Sequence, residues 1–153
     1  MRVFHFNLSG TAKKLLTDCN FNEEAFSAAF TAMFNMHIED TIETTRHHNI
    51  AIRMDRRNCY DYGYYNYEDE IVLCGGVMHE EVFSLKELFI TILHEMMHWM
   101  QYNIYKWPEA DIAPPKDYYK SRAEKMCRKF EKQSSAMLRL YKVLIKIQKT
   151  SYK

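Results

Sequence analysis

Between Ser84 and Pro108 the chain spells out one long helix. Ser84-Leu85-Lys86-Glu87 has the form of a capping box, in which the Ser84 hydroxyl accepts from a first-turn N–H and Glu87 reaches back. Leu85, Phe89, Ile92, Leu93, Met96 and Met100 recur at three- and four-residue steps and form one apolar stripe. Pro108 ends the pattern near Tyr105. A helix of this kind must bury its stripe, so the chain needs a packed core. The 153 residues are the length of one ordinary domain, read here as 1–153, and 47% apolar content can fill that core. Four Gly and three Pro are too few for a many-turned sandwich or barrel.

The other elements follow from periodicity. Residues 22–45 read as a helix, with Asn22 before Glu23 and Glu24, and Phe26, Ala29, Phe30, Met33, Phe34 and Ile38 at helical spacing. Asn49–Met54 alternates like a strand. Residues 59–67 are aromatic and β-prone, and Glu70–Cys74 is a short apolar strand closed by Gly75-Gly76. A second long helix is expected from about Tyr118, carrying Ala123, Met126, Cys127, Phe130, Met137, Tyr141, Leu144 and Ile145. The expected order is an N-terminal helix, a small antiparallel sheet and two helices, an α+β class.

Within the capped helix stands His94-Glu95-Met96-Met97-His98. Residues four apart project about 40° apart around a helix, so both imidazoles face one way and can take two corners of a zinc tetrahedron. Glu95, rotated by about 100°, lies beside such a metal without being forced to coordinate it, and can take a proton from a water the metal acidifies. A catalytic zinc usually has a third protein ligand. No histidine follows His98, and Gln101 stands where a longer histidine motif needs glycine, so a downstream ligand must be a carboxylate: Glu109, Asp111, Asp117, Glu124 or Glu131. Glu109 and Asp111 lie on a connection past Pro108. Glu124 borders the apolar face of the last helix and is the favoured candidate, with Glu131 in reserve. Ser121-Arg122-Ala123-Glu124 also reads as a capping box, which would make Glu124 a helix-start residue only.

The segment Leu93–Trp99, led by Glu70–Leu73 and followed by Glu124–Glu131, resembles the small zincins, in particular the ImmA/IrrE-like metallopeptidases, often encoded by phages and mobile elements. In that family a glutamate some 25 to 30 residues past the second histidine opens an E-x-x-A-x-x-F-A pattern and supplies the third ligand. Glu124 follows His98 by 26 residues; Cys127 replaces the first Ala of the pattern, Phe130 keeps its Phe, and Glu131 replaces its last Ala. The leading portion is also similar to SprT-type proteases, whose third histidine is absent here. The resemblance covers residues 70–131. It implies a gluzincin-type, zinc-dependent metallopeptidase with a minimal zincin-like domain. It also implies His94, His98 and Glu124 as ligands, Glu95 as general base, and a protein or peptide substrate paired along Ile71, Val72 and Leu73. Tyr118 or Tyr119 is the expected donor to the tetrahedral intermediate.

Charge divides the chain. Lys116–Lys153 holds twelve Lys/Arg against three Asp/Glu, and residues 1–115 hold nine against seventeen. The basic end is a solvated helix face or a dock for nucleic acid or an acidic partner. Cys19, Cys59, Cys74 and Cys127 form no C-x-x-C pair. With no signal-peptide pattern and no long apolar run, the expectation is a cytoplasmic chain with free thiols and no membrane contact, in a host cytoplasm if phage-encoded. Two other readings stay open: a binding or inhibitory module with a structural metal or none, and a nucleic-acid-associated protease.

Overall fold

The computed structural model describes residues 1–18, 21–38, 44–55, 63–74, 84–112 and 121–151. They have a mixed α/β fold, and the chain divides into two compact units, Met1–Met54 with Ser135–Lys153, and Asp55–Ser134.

The first unit is built on two parallel strands, β1 (Arg2–Leu8) and β2 (Arg46–Asp55), with Phe4 opposite His48 and Phe6 opposite Ile50. Phe4, Phe6 and Leu8 are buried while His5 and Asn7 are exposed, the alternation of a strand with one face in a core. Helix α1 (Gly10–Asp18) follows at once. Helix α2 (Glu23–His37) starts at Asn22, whose side chain accepts from the Ala25 N–H, and its Phe26, Phe30 and Phe34 meet Phe4 and Phe6. The same helix covers the outer edge of β1. Asn35, Thr31 and Ser27, one per turn, accept from the N–H groups of Arg2, Phe4 and Phe6 at 3.2, 2.9 and 2.9 Å. A strand edge that would otherwise invite another chain is thereby occupied.

In the second unit, β3 (Gly63–Tyr65) pairs antiparallel with β4 (Glu70–Cys74). Tyr67 and Asp69 take left-handed backbone in the turn, which Asn66 ties to Glu70 and Glu68. Helix α3 (Leu85–Asn103) runs over this pair and against α5 (Arg122–Glu131), with the single turn α4 (Glu109–Ile112) between them in sequence. The Ser84 hydroxyl accepts from the Glu87 N–H as the sequence predicts. Gly63 lets α3 approach: a Cβ there would stand 2.9 Å from the Val72 carbonyl oxygen and 3.1 Å from Thr91 Cγ2.

Three expectations are corrected. The first element is a strand, β1, and its pairing with β2 is parallel, so the strands are not all antiparallel. The helix expected over 22–45 ends at His37, where Ile38 turns extended, and residues from Arg46 belong to β2. The last helix is two: Ser121, extended, caps α5, which stops at Glu131, and α6 (Ser134–Ser151) begins after Lys132-Gln133. Ser134-Ser135, residues that favour helix ends over helix interiors, mark the joint. Among the described residues, no helix is long and apolar enough to cross a membrane.

Candidate metal centre

The crossing of α3 and α5 brings His94, His98, Glu124 and Cys127 together, with ligand-type atoms all within 4.8 Å of one another. Two helical repeats do this: His94 and His98 are one turn apart on α3, Glu124 and Cys127 one turn apart on α5. His94 Nε2 lies 2.8 Å from Glu124 Oε2, His98 Nε2 lies 3.4 Å from Glu124 Oε1, and Cys127 Sγ lies 3.5 Å from His98 Nε2. In a tetrahedron with usual zinc bond lengths, the N···O edge is about 3.3 Å, and the sulfur, equally far from Nδ1 and Nε2 at 3.5 Å, stands beside the His98 ring. Two imidazoles, a carboxylate and a thiol form a mixed N, O, S set suited to zinc and poorly suited to magnesium or calcium. His98, Glu124 and Cys127 are buried and His94 is partly exposed, and the group can hold a metal ion.

The outer nitrogens of both rings are tied down. Gln101 Nε2 donates to the Ala123 carbonyl at 3.0 Å, so its oxygen faces His98 and accepts from Nδ1, also at 3.0 Å. This leaves Nε2 of His98 as the lone-pair nitrogen on the side of Glu124. Nδ1 of His94 donates to Glu131 Oε1 at 2.5 Å. Glu131, the reserve ligand, stands on the far nitrogen of His94, while Glu124 stands on the near one. Ser121 accepts from the Glu124 N–H at 3.2 Å, so the cap exists and the carboxylate still points at the histidines. The two readings of Glu124 are compatible.

Carboxylates dominate the electrostatics of the group. Burial alone would lower the His94 pKa, but Glu124, then Glu95 and Glu131 outweigh it and raise it to about 9. With no metal, a proton on Nε2 joins His94 to Glu124. Burial above all, with Glu124 and Glu95 adding, pushes the Cys127 thiol up, so it is a neutral thiol. Glu95 is buried beside this group and accepts from the Tyr65 N–H; burial raises it to about 7 against the pull of His94 and His98.

That N–H lies on the edge of β3 turned away from β4. Asn66 N–H donates to the Glu70 carbonyl, so the neighbouring Tyr65 N–H points away from β4, and among the described residues β3 is the terminal strand. Ile71, Val72 and Leu73, the expected substrate strand, are fully buried, and β3 pairs along one edge of it. Tyr118, Tyr119 and Asp117 lie outside the described residues; Glu109 and Asp111 are exposed on α4 and are not in the cluster. Sequence reasoning missed Gln101, Cys127 and the Tyr65 N–H. The first two had a signal, since each stands three residues after a proposed ligand and so on the same side of its helix.

Compared with known proteins, the chain matches no family model, no curated protein and no solved structure.

Proposed function

We propose that the chain is a zinc-dependent metallopeptidase in which His94, His98 and Glu124 hold the metal and Glu95 is the general base. The observation that carries this reading is the convergence of the three donors with both outer imidazole nitrogens already engaged, so that the inner ones face Glu124. A bound zinc supplies Lewis acidity, polarising a peptide carbonyl and making water a nucleophile near neutral pH.

The chain's own residues do the rest. Glu95 takes a proton from the attacking water at a carboxylate oxygen and returns it to the leaving amine nitrogen. Burial, which raises this carboxyl in the metal-free protein to about 7, favours its holding that proton. An extended substrate adds as a strand on the edge of β3 turned away from β4, next to Glu95. The apolar packing of α3 keeps bulk water from the inner side of the site. In the test, Glu95→Gln retains zinc and loses cleavage of a mixed peptide pool, while His94→Ala loses both. A Glu95→Gln protein as active as wild type overturns the mechanism.

A second activity is favoured by α6, where Arg139, Lys142, Lys146 and Lys149 are all exposed and fall on one stripe at helical spacing. This stripe docks an acidic partner or nucleic acid. Binding to a DNA duplex that weakens with salt and is lost in Lys142→Glu/Lys146→Glu would support it, and salt-insensitive binding would overturn it.

A further inference from the structure

Cys127 is the part of the cluster that the proposed peptidase chemistry does not use. Its sulfur is fully buried, 3.5 Å from both ring nitrogens of His98, and one helical turn from Glu124. A buried thiol is usually inert packing, and Cys74, also buried, stands outside the cluster. Cys127 differs because its Sγ belongs to the same set of mutually close donors as His94, His98 and Glu124. No other residue type in the set can supply sulfur. Burial also keeps water from competing for the place that sulfur faces.

We infer that Cys127 is a fourth metal ligand and that the resting site is closed by four protein donors. The inference rests on the metal reading of the cluster and goes beyond it. As the sulfur–metal bond forms, the S–H proton passes to solvent and the thiolate takes the fourth corner. Structural zinc sites have four protein ligands and catalytic ones keep a corner open. A site with Cys127 in place is therefore of the closed kind. It opens to water or to another small ligand only when the sulfur is withdrawn. A small side chain at position 127 would leave the other three ligands and open that corner permanently.

The test uses the full chain loaded with zinc or cobalt. X-ray absorption at the zinc edge of the wild type should show one sulfur neighbour at about 2.3 Å among nitrogen and oxygen neighbours at about 2.0 Å. A shell of nitrogen and oxygen alone overturns the inference while leaving the metal site standing. This measurement needs no variant. In the cobalt protein, wild type should show a near-ultraviolet sulfur-to-cobalt charge-transfer band that Cys127→Ala lacks while still holding one cobalt per chain. Azide should then shift the visible cobalt bands of Cys127→Ala and leave those of wild type unchanged. A sulfur band that persists in Cys127→Ala, or a wild type that responds to azide as the variant does, overturns the inference. A wild type that takes up neither metal overturns the metal reading itself, and the inference with it.

Discussion

Gln101 holds His98 in one orientation: its oxygen accepts from His98 Nδ1 at 3.0 Å while its amide nitrogen is anchored on the Ala123 carbonyl. The bond links the last turn of α3 to the start of α5, so the contact that joins the two helices also sets the direction of the imidazole. Glu131 does the same for His94 from the other end of α5. Partners of this kind fix ring orientation and tautomer, and their loss usually weakens a metal site by about 10- to 100-fold.

Gln101→Leu and Glu131→Gln should each lower zinc affinity by about that factor without removing the site, whereas Glu124→Ala should abolish retention. Competition with a chromophoric chelator measures all three. If Glu131→Gln loses zinc completely and Glu124→Ala keeps it, the roles of the two carboxylates are exchanged.

Metal-free protein should lose stability as the solution turns alkaline. His94 has its pKa raised from 6.5 to about 9, so its ionic contribution is complete below about pH 6.5 and fades as pH rises through 9. Zinc must displace the Nε2 proton, so apparent zinc affinity should rise over the same interval. Thermal melts of apo and zinc-loaded protein between pH 6 and 9.5 should therefore diverge. An apo midpoint that is flat across this range in wild type, or that falls equally in His94→Ala, would contradict the assignment.

Gly63 allows the approach of β3, β4 and α3, and a methyl group there meets the Val72 carbonyl oxygen, which cannot move out of the way as a side chain end can. Gly63→Ala should destabilise the fold by about 1–3 kcal/mol. Denaturant titration checks this, and a neutral or stabilising effect would show that the approach is looser than 2.9 Å implies.

Thr31→Val keeps the shape of the side chain and removes the acceptor for the Phe4 N–H. An N–H left without a partner at a half-buried strand edge costs about 1–3 kcal/mol. The loss should appear in the denaturation midpoint, and the Phe4 amide should exchange with deuterium faster. Unchanged exchange would mean that the edge of β1 does not depend on α2.

Much of this was legible in the sequence, and the reasons differ by element. Helix α3 was readable because its cap, stripe and stop signal are all local. β1 was missed although Phe4, Phe6 and Leu8 alternate, because a lone strand gives no hint of its parallel partner 44 residues on, Arg2 facing Arg46. The end of α2 at His37 carries no Gly or Pro, so periodicity overran it. In the candidate site, the spacing of His94 and His98 needs only helix geometry. The separate stations of Glu124 and Glu131 depend on how α5 crosses α3. Seven residues apart, both lie on the same helix face, and only the crossing sends one to the near nitrogen of His94 and the other to the far one. Cys127 and Gln101 follow the same rule, being local in spacing and tertiary in meaning.

Metal content most directly tests the central claim. Wild type, His94→Ala and Glu124→Ala, purified without chelator and dialysed against zinc-free buffer, would be assayed by mass spectrometry of the metal. The expected result is about one zinc per wild-type chain and none in either variant. A wild type that holds no zinc even after reconstitution would contradict the account, and so would variants that hold as much as wild type.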